Sequence, residues 1–131
     1  MIVVDTSVLI AVAVDEPTKA RLIALTTGET LIAPASVWWE IGNALSAMLK
    51  RRRTNLEAAT DAIAVCRAIP VRYVDVPIES ALALAARLNL YAYDAYLLAA
   101  AQIMQAPVLT LDLALSNAAR KVGIHAPEVM P

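Results

Sequence analysis

Short β-branched apolar runs alternate along this chain with stretches whose apolar residues recur every three or four positions. Ile2-Val3-Val4 is the first run, and it predicts a buried strand over about 2–5. Similar runs predict strands at Thr30–Ala33, Val71–Val74 and Pro107–Thr110, with Ile124-His125-Ala126 as a last edge strand. The longer periodic stretches predict helices over 8–14, 17–26, 36–52, 56–68, from Pro77 to about Leu88, 94–105 and 113–121. In 36–52, Val37, Ile41, Ala44, Leu45 and Met48 share one face, with Glu40 on its shoulder. Trp38 lies beside that stripe, and Trp39 lies opposite it, which predicts an exposed ring. Residues 94–105 are apolar almost all round and read as a central buried helix. Asp15-Glu16-Pro17 reads as a helix start, Ser36 and Asp75 as caps, and Gly123 as a helix stop. Strands alternating with helices point to an α/β fold, a three-layer α/β/α domain with a mostly parallel central sheet.

Length and composition sharpen this picture. The 131 residues suit one domain, 1–131. The hydrophobic share is 60% and the charged share 18%, so part of the surface is expected to lie under a partner or a second copy. Cys66 is the single cysteine and leaves no intrachain disulfide to form. No basic leader precedes the first apolar run, and no uncharged run approaches the ~20 residues of a spanning helix. The expectation is a soluble, cytoplasmic protein with no membrane association. Net charge is −1, so any nucleic-acid binding must come from local patches.

The candidate chemistry lies in four acids at element ends. Asp5 and Asp112 directly follow predicted strands, whose C-terminal ends share one side of a parallel sheet. Glu40 and Asp94 lie near the starts of helices that begin on that side. Brought together, four carboxylates repel, and each raises its neighbours' pKa. A hard divalent cation, Mg2+ or Mn2+, relieves that conflict with oxygen ligands. One cysteine and one histidine do not make a usual zinc set. Such a site suits hydrolysis of a phosphodiester, with Thr6, Ser7 and Thr110 supporting the acids or touching a phosphate. Each acid also has a purely structural reading. Asp5, Asp94 and Asp112 each suit a helix cap, and Glu40 suits an exposed first turn.

The stretches Val3-Val4-Asp5-Thr6-Ser7-Val8-Leu9, Pro34 to Ala44, Tyr91 to Ala99 and Leu109-Thr110-Leu111-Asp112 together resemble the PIN domain. Within it they look most like the VapC-like toxin ribonucleases of bacterial toxin–antitoxin pairs. The resemblance spans essentially the whole chain. It implies a PIN fold, Mg2+- or Mn2+-dependent endoribonuclease activity on RNA, a homodimer, and inhibition by a cognate antitoxin. It carries the family's metal-binding acids onto Asp5, Glu40, Asp94 and Asp112, with Asp5 and Asp94 the most direct ligands, and its hydroxyl onto Thr110. The Trp38-Trp39 pair departs from the smaller residues commoner in the family.

Other features carry two readings each. Arg51, Arg52 and Arg53, following Lys50, either complement a helix C-terminus or contact RNA phosphates. Arg120 and Lys121 share that ambiguity. Tyr91, Tyr93 and Tyr96 are expected in the core, with base stacking the alternative. His125 is expected at the surface or on a strand edge. Two competing functions are a phospho-acceptor receiver domain centred on Asp75 and a PIN-fold module that only binds. The first lacks paired acids after strand 1 and a Lys after the last strand, and the complete acid set speaks against the second.

Overall fold

The computed structural model describes residues 1–129. Four strands form one sheet: β1 (Ile2–Val4), β2 (Leu31–Pro34), β3 (Val71–Val74) and β4 (Val108–Leu109). Their order is β3-β2-β1-β4, and every pairing is parallel. Seven helices surround it: α1 (Thr6–Ala13), α2 (Lys19–Thr26), α3 (Val37–Lys50), α4 (Leu56–Ala68), α5 (Ile78–Leu88), α6 (Ala92–Met104) and α7 (Leu113–Lys121). Side-chain alternation along the strands divides the core in two. Val3, Ile32 and Val108 point to a layer of α5, α6 and α7, where Leu84, Leu98 and Leu115 pack. Ile2, Val4, Ala33 and Leu109 point to the opposite layer, against Leu9, Leu22, Ile41 and Leu45 of α1, α2 and α3 and Cys66 of α4. The central strand is therefore buried on both faces, which is why β1 reads as an unbroken apolar run. This is the three-layer α/β/α architecture expected, with an all-parallel sheet.

Several boundaries differ from the sequence expectation. Helix α1 begins at Thr6, because Asp5 takes the extended backbone of its N-cap. Helix α2 begins at Lys19, not at residue 17: Asp15 adopts a left-handed backbone (φ 60°) and pairs with Lys19 at 2.7 Å. Ser36 precedes α3 without a side-chain capping bond, and Pro77, not Asp75, occupies the N-cap of α5. Ile124-His125-Ala126 forms no strand. It makes one ladder-like hydrogen bond, Val108 N–H donating to His125 C=O at 2.9 Å, and a single bond does not build a pair. His125 is exposed. Gly123 does end α7, with φ +78°, a conformation costly for a residue with a Cβ.

Candidate active site

The register of β1 and β4 builds the centre of the site. Val3 pairs with Val108 and Val4 with Leu109, and Asp5 N–H donates to Leu109 C=O at 3.0 Å. One step on, Asp5 and Thr110 stand side by side, and Thr110 Oγ1 donates to Asp5 Oδ2 at 2.7 Å. Ser7 Oγ donates to the same oxygen at 2.8 Å and accepts Leu111 N–H at 3.0 Å. Thr110 Oγ1 in turn accepts Asp112 N–H at 3.0 Å. These hydroxyls lock the Asp5 carboxylate, which is only 6% exposed, and tie the start of α1 to the β4–α7 loop. Asp5 Oδ1 accepts no hydrogen bond from the described residues. Asp5 occupies the N-cap position of α1, but its side chain caps no backbone N–H of that helix.

The other acids reach the same place from separate elements. Glu40, in the first turn of α3, is half-buried and its Oε2 accepts from Thr6 Oγ1 at 3.2 Å. Asp94 occupies the first turn of α6 two residues after its start, so Tyr91 and not Asp94 takes the N-cap. Asp112 does cap α7: its Oδ1 accepts from Ala114 N–H at 2.9 Å and Leu115 N–H at 3.3 Å. It also lines the cleft beside the other three acids. All four acids, with Thr6 and Ser7, line one open cleft of about 510 Å3 at the C-terminal edge of the sheet.

The electrostatics follow from this convergence. Burial, then the charge of Asp5, with Asp94 adding, pushes the Glu40 carboxyl from 4.5 to about 7, against a lowering by the Thr6 hydroxyl. Burial, followed by the charges of Asp5 and Asp112, raises Asp94 above the ordinary carboxylate range. Like charges thus meet without a basic partner, since no Lys or Arg among the described residues lines the cleft. Among the described residues no three ligand-type side chains are already gathered as a metal-holding cage. The donor set nevertheless fits a hard cation: it is all oxygen, it repels itself, and Asp5 offers an oxygen free of hydrogen bonds.

Two cleft residues escape a reading of the sequence alone. Asn43 lies one turn beyond Glu40 on α3, and its i+3 spacing from that acid is the signal that marks it. Glu16, expected as a helix-start acid, stands exposed on the cleft wall. Arg51, Arg52 and Arg53 are exposed beyond the far end of α3 and do not line the cleft. Arg120 donates to Ala126 C=O at 2.6 Å and to Asn117 Oδ1 at 3.2 Å, which pins the chain after α7. Tyr91 is 88% exposed and so is no core residue: as N-cap it precedes the packed part of α6. Tyr93 and Tyr96 are half-buried and pack edge-to-face. Trp39 is 71% exposed, as its helical position predicts.

The chain belongs to the PIN-domain family, whose model matches residues 2–121. Comparison with curated proteins gave no match. Among solved structures it is similar to PAE2754 from Pyrobaculum aerophilum, at 25% identity and TM-score 0.70, covering 95% of this chain and 82% of that one. It is also similar to Mycobacterium tuberculosis VapC20, described as a sarcin–ricin loop cleaving toxin, at 20% identity and TM-score 0.65. That match covers 90% of this chain and 95% of the other. The likeness to VapC20 is one of fold. PIN domains are generally nucleases that use divalent metal ions. The family match displaces the receiver-domain reading, and Asp75 lies outside the acid cleft, after the edge strand β3.

Proposed function

We propose that this chain is a single PIN domain acting as a metal-dependent endoribonuclease, the toxin of a toxin–antitoxin pair. One observation carries the reading: four carboxylates from four separate elements share one cleft, with Glu40 and Asp94 raised in pKa and no basic side chain among the described residues lining it. The general character of the family, and a fold neighbour described as an RNA-cleaving toxin, support it. Asp5 and Asp94 would be the direct ligands of Mg2+ or Mn2+, and Glu40 and Asp112 would complete the set. A bound cation of this kind supplies positive charge that polarises a phosphodiester and favours ionisation of a water. The protein's own contribution is positional. Ser7 and Thr110 fix the Asp5 carboxylate from one side and leave its second oxygen for the ligand. Thr6 holds Glu40 against the same cleft, and the α7 backbone amides hold Asp112.

Assembly belongs to the same proposal. Ile78 and Leu82, one turn apart on α5, are 66% and 67% exposed, and such a stripe supports a face covered by a second copy or by the antitoxin. No helix among the described residues is long and apolar enough to cross a membrane. The deciding experiment is cleavage of RNA by the purified chain with Mg2+ or Mn2+, alongside Asp5→Ala and Asp94→Ala. Both variants should lose cleavage by at least about a hundredfold. Full activity in either would refute the site, and a parent chain that binds RNA without cutting it would favour the non-catalytic module.

A further inference from the structure

The acid cleft is rich in hydrogen-bond acceptors and poor in donors. Glu16 adds a further carboxylate to the four acids that line it. The neutral polar side chains in the lining are Thr6, Ser7 and Asn43. Thr6 and Ser7 already commit their protons: the Thr6 hydroxyl donates to Glu40 at 3.2 Å and the Ser7 hydroxyl to Asp5 at 2.8 Å. The loop amides beside them are taken as well. Leu111 N–H donates to Ser7 Oγ, and Asp112 N–H to Thr110 Oγ1. Asn43 differs. Its exposed side chain lines the cleft yet makes no hydrogen bond with any described residue. Its amide therefore brings unused N–H donors to a site otherwise lined by carboxylates and committed hydroxyls.

Helix α3 fixes where that amide stands. Asn43 follows Glu40 by three residues, so both lie on the face that fronts the cleft. Ile41 and Leu45 are buried in the core and hold the helix in place. Glu40 takes its hydrogen bond from Thr6, which leaves the neighbouring amide free.

A phosphodiester in such a cleft has a particular need. Attack by water forms one P–O bond, breaks the ester P–O bond and leaves a proton of the water on the departing oxygen. Between those states the non-bridging oxygens carry extra negative charge, which the surrounding carboxylates oppose. A Lys or Arg would answer that charge, but it would also pair with the acids and compete with the cation they suit. A neutral amide donates to a phosphoryl oxygen and leaves the charge of the acid set unchanged.

We infer that the Asn43 amide donates a hydrogen bond to a non-bridging oxygen of the phosphate held at the acids, and that the bond strengthens as charge builds on that oxygen. This rests on the nuclease reading of the cleft, and the two fail by different measurements.

The test compares the full chain with Asn43→Ala and Asn43→Asp. Calorimetric titration with Mn2+ alone should give Asn43→Ala the affinity of the parent. Single-turnover cleavage of RNA by Asn43→Ala should slow by roughly ten- to a hundredfold, at or below the low end for a buried oxyanion donor because this cleft is open. Asn43→Asp should be slower still, since it removes the donor and sets another charge beside the phosphate. The linkage that is cut is then prepared as its two phosphorothioate diastereomers and cleaved with Mn2+. Sulfur is a weak acceptor. The diastereomer with sulfur at the contacted position should be cut slowly by the parent, and Asn43→Ala should add little to that loss. The other diastereomer should show the full loss. Equal losses on the natural linkage and on both diastereomers would overturn the inference. So would Asn43→Asp cleaving as fast as the parent, or weakened Mn2+ binding by Asn43→Ala, because the amide would then act through its oxygen on the cation or its ligands. If the parent chain cuts no RNA, the nuclease reading fails and binding decides the inference. Asn43→Ala should then still raise the Kd for RNA in Mn2+, and an unchanged Kd would overturn it.

Discussion

Glu40 shows most directly how one residue couples charge, stability and metal. Its carboxyl titrates near 7 in the fold and near 4.5 in the unfolded chain, so between those values the native state holds a proton that the unfolded state has released. Stability of the metal-free protein therefore falls as pH rises through that window, and the loss is complete above about 7. Asp94, raised by the same causes, adds to the loss with the same sign. A divalent cation needs both groups ionised, so its stabilising effect runs the opposite way and grows with pH. Melting curves from about pH 5 to about pH 8 should show a declining midpoint in EDTA and a widening gain with Mg2+ or Mn2+. Glu40→Gln should flatten much of the EDTA decline. A metal gain as large at pH 5 as at pH 8 would contradict the ligand role. Thr110 offers a second test at this scale, since its buried hydroxyl serves Asp5 and Asp112 N–H at once. Thr110→Val keeps the shape but strands Asp112 N–H and leaves Asp5 Oδ2 with the Ser7 hydroxyl alone, which costs about 1–3 kcal/mol. The urea midpoint should fall accordingly, and an unchanged midpoint would mean water replaces the hydroxyl.

At the scale of elements, α6 joins the core to the site. Leu98 is fully buried in the cluster shared with Val3 and Val108, on the same helix whose first turn carries Asp94. Leu98→Ala should cost about 2–5 kcal/mol in chemical denaturation, with the cavity included. A loss well under 1 kcal/mol would mean that α6 is not the central support. The long apolar helix and the β-branched strands are legible in the sequence because burial on both faces leaves little but apolar residues. The ends are less legible. Asp5 and Asp112 have the same extended N-cap backbone, yet only Asp112 uses its side chain as a cap. The difference is that Ser7 and Thr110 claim the Asp5 carboxylate, and Thr110 lies over a hundred positions away, beyond any local pattern. The strand expected at 124–126 fails for a related reason, since its apolar residues meet the core without a ladder partner. Asn43 is hard to find because a neutral amide leaves no charge signal, whereas the four acids announce themselves by charge beside apolar runs. Tyr91 is easily misplaced because an aromatic at a helix start follows no periodicity that separates core from rim.

At the scale of the whole molecule, the acid cleft and the basic run occupy opposite ends of one helix. Glu40 and Arg51 are separated by about 16 Å along α3 at 1.5 Å per residue. That is about two Debye lengths at physiological ionic strength, so the arginines do little for the acids directly. They can act on RNA only if the strand runs from the cleft along the length of α3 and reaches them. This makes substrate length the deciding variable. Replacing Arg51, Arg52 and Arg53 with Gln in an Asp94→Asn chain should weaken binding of a long RNA. It should also reduce the slope of log Kd against log salt by about 0.7 for each phosphate no longer neutralised. A short RNA confined to the cleft should bind the same chain with unchanged affinity and slope. In the active protein the same substitutions should raise KM on long RNA and leave kcat alone, because they lie far from the cleft. If the long strand shows no change in slope, the run serves only to complement the negative end of the α3 dipole, for which Lys50 and Arg51 are well placed. If the short strand loses affinity as much as the long one, the arginines act through α3 itself, and the urea midpoint should drop with them.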